Sequence, residues 1–263
     1  MVENLVGVIT QHNIHLSYLD LSFNNLNGVG KYLAKSIHLM QVLVLVQCNL
    51  QEGDFIAIAE ATARRDTNMS LLNLGDNVMS KKALDSFAPG VHKLDGMGLN
   101  ECSVTGDGLE QLCLEISKRQ KPMNVLYLGE NNIGLIGVNH VSSCVYNIRV
   151  LSLDDCNLTI TCLRVLIAAI LNMDHSMVYL DLSDNKFGDE GAIALATCLE
   201  KVENLDVLDC DITPVGAKAL HKANRKLNRE IDGLPDIPQA TAASSVGRPH
   251  EVAQKSKKRC AIS

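Results

Sequence analysis

The most specific chemical signal in the chain is its end. Lys255-Ser256-Lys257-Lys258-Arg259 precedes Cys260-Ala261-Ile262-Ser263. A thiol fourth from the carboxyl end, followed by two aliphatic residues and Ser, is the form that receives a farnesyl group through a thioether bond. One lipid chain holds a protein to a bilayer only marginally, and stable attachment takes a second contribution. Lys255, Lys257, Lys258 and Arg259 would each add about 1 kcal/mol against an anionic leaflet. The predicted location is therefore the cytosolic face of a membrane, with phosphorylation of Ser256 expected to weaken attachment by charge alone.

Other chemistry is hard to find. The sequence contains no Gly-x-x-x-x-Gly-Lys phosphate loop, no His-Glu-x-x-His and no Gly-x-Ser-x-Gly elbow. Gly106-Asp107-Gly108 reads as a turn before a helix. His12 and His15 stand three apart without further ligands, too few for a zinc site. Nine cysteines, none spaced as C-x-x-C, read as free and mostly buried thiols rather than a disulfide framework or zinc knuckle. The expectation is a protein with no catalytic residues, no metal and no cofactor.

Composition sets the frame for these signals. The 263 residues are 46% hydrophobic but only 3% aromatic, so the core must be aliphatic. Neither a membrane-spanning apolar run nor a signal peptide is legible, which predicts a cytosolic or nuclear chain. Charge is unevenly spread: residues 1–220 hold 15 Lys/Arg against 26 Asp/Glu, whereas residues 221–263 hold 9 against 4. An acidic body carrying a basic tail suggests two different partners, neither of them nucleic acid.

What positions the acidic residues is a repeat. The pattern apolar-x-x-apolar-x-apolar-x-x-Asn/Cys-x-apolar recurs eight times, beginning Leu16, Leu19, Leu21, Asn24, Leu26. Its ninth position reads Asn24, Cys48, Asn77, Cys102, Asn131, Cys156, Asn185, Cys210, at steps of 24, 29, 25, 29, 25, 29 and 25 residues. Apolar residues two apart put their side chains on one face of a short strand. A buried Asn can then satisfy several backbone groups at the following turn, and Cys fills the same space with a weak donor. Small residues four positions after the last apolar residue of a unit (Gly30, Ala83, Gly108, Gly137, Cys162, Gly191, Gly216) let the start of a helix approach the preceding turn closely, and helical patterns such as 30–37 and 192–199 follow. The eighth unit, framed as Leu205, Leu208, Cys210, Ile212, is three residues short.

A strand–turn–helix unit cannot bury its apolar faces alone, so eight must stack into one continuous core. Strands stack about 4.8 Å apart and helices about 8–10 Å apart, so the stack bends with its strands inside. These residues resemble the leucine-rich repeat superfamily, and the strict Asn/Cys alternation is similar to its ribonuclease-inhibitor class. The resemblance implies an α/β leucine-rich-repeat solenoid, a right-handed horseshoe of about eight repeats with a parallel sheet on the concave face. The expected boundaries are a partial N-terminal repeat over 1–15, the repeat domain over 16–230, a disordered linker over 231–254 and the polybasic prenylation segment over 255–263.

Strand alternation sends positions three, five and seven of each unit to the concave wall and position eight to its rim. That assigns Tyr18, Asp20, Phe23, Asp76, Glu101, Tyr127, Glu130, Asp154, Asp155, Tyr179, Asp181 and Asp184 to a partner-binding surface, along with Val42, Val44, Val46, Val207 and Asp209. Nine carboxylates and no Lys or Arg lie there. Carboxylates stacked at strand spacing repel by about 1 kcal/mol per close pair after screening, and a basic partner would relieve that repulsion. The expected function is a monomeric, non-catalytic scaffold or adaptor that binds a basic protein. Two other roles follow from resemblance: a regulator of a small GTPase, in the manner of the Ran GTPase activators, and a ribonuclease-inhibitor-like blocker of a basic enzyme. Arg64 and Arg65, at a helix–strand junction, are read as a solvated helix end.

Overall fold

A computed structural model describes residues 2–235. The polybasic segment, Cys260 and most of the expected linker lie outside the described residues. Within them, nine strands form one parallel sheet in sequence order, β1 (Leu19–Asp20), β2 (Val42–Val44), β3 (Leu71–Asn73), β4 (Gly96–Gly98), β5 (Met123–Tyr127), β6 (Ile148–Ser152), β7 (Met177–Asp181), β8 (Val202–Asp206) and β9 (Glu230–Asp232). Helices alternate with them as α1 (Val2–Gln11), α2 (Gly30–Leu33), α3 (Glu52–Ala63), α4 (Lys81–Phe87), α5 (Leu109–Ser117), α6 (Gly134–Cys144), α7 (Ile160–Leu171), α8 (Gly188–Leu195) and α9 (Pro214–Asn224). The fold is the expected α/β leucine-rich-repeat solenoid. One apolar core fills the space between the sheet and the helices, from Val6 to Leu220, with the repeat leucines of the second to eighth units at or near zero exposure and Leu16 and Leu19 of the first only partly buried.

The alternating ladder is a hydrogen-bonding device. Asn131 accepts from the Cys102 and Val104 amides at 3.1 and 2.8 Å and donates to the carbonyls of Leu99, Leu128 and Gly129. Asn77 and Asn185 repeat the arrangement one pair of units to either side. On the Cys rungs the thiol donates to a carbonyl of the preceding unit, Cys102 to Leu74 at 3.3 Å and Cys156 to Leu128 at 3.2 Å. Each rung thus closes the buried backbone groups that a tight turn would otherwise leave unpaired. Asn24 has no Cys-type unit before it, donates only to Leu21 and Ser22, and is exposed.

Three expectations change. The eighth unit is complete: Met177 pairs with Val202 and Leu180 with Leu205, so its frame is Val202, Leu205, Val207, Cys210, Ile212. Val207 is therefore a fully buried core residue, and the inward positions belong to Asn204, Asp206 and Leu208. Residues 231 and 232, expected to open the linker, belong instead to β9, which adds to the sheet through Ile231 opposite Leu205, and the Val207 amide donates to the Asp232 carbonyl. Closing the edge of β8 and packing Ile231 and Leu234 against the core offset the polar composition there. At the other end, residues 1–15 supply α1, the helical half of a unit, with Val6 and Ile9 buried.

The small residues at the helix starts serve two kinds of close approach. A side chain on Gly30 would collide with the backbone and Cβ of Asp54, which opens the next unit's helix. At Gly30 the close approach is thus between neighbouring helices, whereas a side chain on Gly137 or Gly191 would collide with Ile133 or Phe187 of its own preceding turn, as expected. In return, the Asp54 carboxylate accepts the Gly28 and Gly30 amides at 3.0 and 2.8 Å.

Candidate functional site: the concave sheet face

Position eight of every unit has positive φ: 61° at Phe23, 56° at Asp76, 56° at Glu101, 58° at Glu130, 44° at Asp155 and 59° at Asp184. The chain turns there in the left-handed region, which Asp and Asn tolerate better than other residues with side chains. Folding thus gives its own reason for the aspartates on the rim. No such reason applies to Glu101, Glu130 or Phe23.

The inner face divides into two halves. Toward the N-terminal end lie Tyr18 and Phe23, 58% and 54% exposed, beside the partly exposed Val42, Val44, Val46 and Leu71. Tyr18 donates to Asp20 at 3.3 Å, and burial together with that carboxylate raises its pKa. Gly96 and Gly98 make β4 bare and buried at the centre. Toward the C-terminal end the face is acidic.

Strand register assembles that acidic half. Ser152, Asp181, Asp206 and Asp232 stand in one lateral row across β6 to β9. Asp154 leans over Gly129, where any side chain would collide with its carboxylate, and accepts from the Ser152 hydroxyl. Tyr179 donates to Asp206 at 3.3 Å. Asp181 accepts from the Ser183 amide and hydroxyl at 3.0 and 2.7 Å, yet its carboxyl is pushed up to about 6. Burial is the main cause, opposed by those hydrogen bonds and reinforced by Asp154 and Asp206. Burial and the Asp181 and Asp206 charges also raise the Tyr179 phenol. On the rim, partial burial plus Asp209 and Asp155 raises Asp184. The Asp181 and Asp184 carboxyls and the Tyr179 phenol, all raised, mark a negative field, which Lys186 offsets in part at Asp184.

Apart from Val207 and Asp209 of the misphased eighth unit, the sequence-assigned residues fall where strand alternation places them. Tyr127 is half-buried on the wall, with its phenol raised by burial, and Asp76, Glu101, Glu130 and Asp155 line the rim. Asp206, Asp232 and Glu230 were missed. The signal for Asp206 was present, since counting back eight residues from Cys210 gives Val202 and the correct frame. Glu230 and Asp232 follow an irregular helix-to-strand junction and carry no ladder residue.

Other side chains with chemistry are structural. Arg65 is buried rather than solvated, donating to the carbonyls of Ile37, Thr67 and Asn68, while exposed Arg64 pairs with Glu60 at 2.7 Å. All eight described cysteines are free and buried, and burial pushes the thiols of Cys102, Cys156, Cys198 and Cys210 up to about 12. Among the described residues no cluster of His, Cys, Asp or Glu has the makings of a metal site, and no helix is long and apolar enough to cross a membrane.

Comparison with known proteins agrees with the repeat architecture. The family described as "Leucine Rich repeat" matches residues 12–30, 174–196 and 199–220. The pig (Sus scrofa) ribonuclease inhibitor is 27% identical over 78% of this chain and 47% of its own length. The human "NACHT, LRR and PYD domains-containing protein 13" is 27% identical over 71% of this chain and 19% of its own. The chain spans about half the length, or less, of these curated relatives. A chain in the crystal structure of the yeast Rad7 and Elc1 complex aligns over 88% of this one and 81% of its own, at 10% identity and a TM-score of 0.40.

Proposed function

We propose that the chain is a non-catalytic protein-binding scaffold whose concave sheet face docks a basic protein. The supporting observation is the in-register row Asp181, Asp206 and Asp232, with Asp154 and Asp184 beside it, where Asp181 titrates near 6. Folding a row of acids onto adjacent strands costs stability, and an incoming guanidinium or ammonium group recovers it as binding free energy. Exposed Tyr18 and Phe23 give the opposite end an aromatic anchor, so one partner would be steered by charge and gripped by apolar contact. The likeness to ribonuclease inhibitors makes a basic ribonuclease a candidate ligand.

Stopped-flow association with a basic ribonuclease and other basic proteins tests this reading. Reversing Glu101, Glu130 and Asp155 to Lys should slow association at least tenfold at low salt and flatten its salt dependence. An unchanged on-rate across the panel defeats it. The proposed location is a cytosolic membrane surface, reached through farnesyl on Cys260 and the charges of Lys255, Lys257, Lys258 and Arg259. Intact mass of protein from its own cells checks this, since an unmodified terminus excludes the lipid. A GTPase-regulating role has less support, because Arg65 is committed to backbone carbonyls.

A further inference from the structure

The described chain ends on the acidic half of the sheet, and the residues that follow it in the sequence are opposite in charge. β9 is the last strand of the sheet among the described residues and carries Asp232 of the row Asp181, Asp206, Asp232; three residues on, Pro235 lies against the turn Asp209–Ile212 that follows β8. Residues 236–263 hold five Lys/Arg against two Asp/Glu. Four of the five, Lys255, Lys257, Lys258 and Arg259, fall within five positions.

Chain length matches the span. Twenty residues separate Pro235 from Lys255, for which a coil has an end-to-end distance of about 25 Å. At about 4.8 Å per strand, β6 lies roughly 14 Å from β9 and β4 roughly 24 Å. A flexible connection of that length would present the basic cluster to the acidic half at an effective concentration of about a millimolar. A segment whose separate affinity was only about 100 μM would occupy the face about nine-tenths of the time at that concentration.

We propose that the basic segment 255–259 docks in cis on the acidic sheet face of β6 to β9, where it competes with a basic partner. The inference rests on the reading of that face as a site for basic ligands and adds its resident occupant. The same four cations serve either the face or an anionic membrane, since each neutralises only one set of charges at a time. Capture of the tail by a membrane therefore opens the face, and binding is favoured where the protein is anchored.

A nitroxide on Cys260 of the full-length chain made in bacteria tests the contact, because the eight described cysteines are buried and react slowly. Amide resonances of Ser152, Asp181 and Asp206 should broaden at about 20 mM salt and recover at about 500 mM, where the screening length falls below a strand spacing. They should also recover when Lys255, Lys257, Lys258 and Arg259 are all changed to Glu. That tail-reversed chain should bind an arginine-rich probe peptide about tenfold more tightly than the parent. Broadening that is absent, that spreads equally over α6 and α7, or that survives tail reversal overturns the inference. If the probe still binds the face in such a case, the scaffold reading stands alone. If the probe fails to bind even the tail-reversed chain, that reading falls too.

Discussion

Replacing Asp181 by Asn should stabilise the protein, and only above a defined pH. The carboxyl titrates near 6 in the fold, against about 3.9 in an unfolded chain. Between those values the native state holds more protons than the unfolded state, so stability falls as pH rises through the window. Above pH 6 the whole cost is present, about 3 kcal/mol, because each tenfold difference in proton affinity between the two states is worth about 1.36 kcal/mol. Asparagine removes the charge while its Oδ1 can still accept from the Ser183 amide and hydroxyl at 3.0 and 2.7 Å. Unfolding free energies from urea titration should therefore coincide for the two proteins near pH 4 and separate by about 2–3 kcal/mol at pH 7.5, with a melting temperature raised by about 5–10 °C. Salt should shrink part of the gain, the share owed to Asp154 and Asp206, and leave the share owed to burial. Equal gains at both pH values, or a loss at pH 7.5, would refute the assignment of Asp181 as a charge held against the fold.

Other consequences follow from the ladder and its packing. Asn131→Ala strips partners from two amides and three carbonyls in the buried interior, which should cost about 3–5 kcal/mol in urea unfolding. Asn24→Ala, at an exposed rung with two bonds, should cost about 1 kcal/mol; comparable losses would contradict the ladder's role. Gly30→Ala forces a methyl against Asp54 and should destabilise by about 1–3 kcal/mol, whereas Gly53→Ala meets nothing within 4 Å and should be nearly neutral. Peptide-mapped alkylation at pH 8 should modify Cys260 first and leave Cys102, Cys156, Cys198 and Cys210 intact until the chain unfolds, because burial holds their thiols near 12. Early loss of any of those four would show that the core opens locally.

The solenoid was legible because its rungs are written in the residues that must fill them. Asn and Cys alternate at fixed steps, and the apolar positions before each rung set strand phase, so Asp181 and Tyr179 could be placed on the wall without coordinates. Where the rung was present but the strand was phased from the wrong leucine, Val207 was turned outward and Asp206 was lost. Where no rung exists, as at β9, sequence offered only Glu230-Ile231-Asp232 among polar neighbours, and tertiary pairing with β8 decided the structure. The burial of Arg65 was hidden for a related reason. Its carbonyl partner at Ile37 is 28 residues distant, and a charged pair of residues at a helix end gives no sign of which one turns inward. The left-handed turn at position eight was equally silent, because Phe, Gln, Glu and Asp all occupy it.

The most direct test of the docking surface is a backbone amide shift map of the full-length chain, tail-reversed so that the face is free, titrated with the arginine-rich peptide. Perturbations should concentrate on Tyr127, Ser152, Asp181 and Asp206, and vanish when Asp181 and Asp206 become Asn. Shifts concentrated on the helical layer, α5 to α8, with the strand amides unmoved, would mean that the molecule receives its ligands on the opposite side.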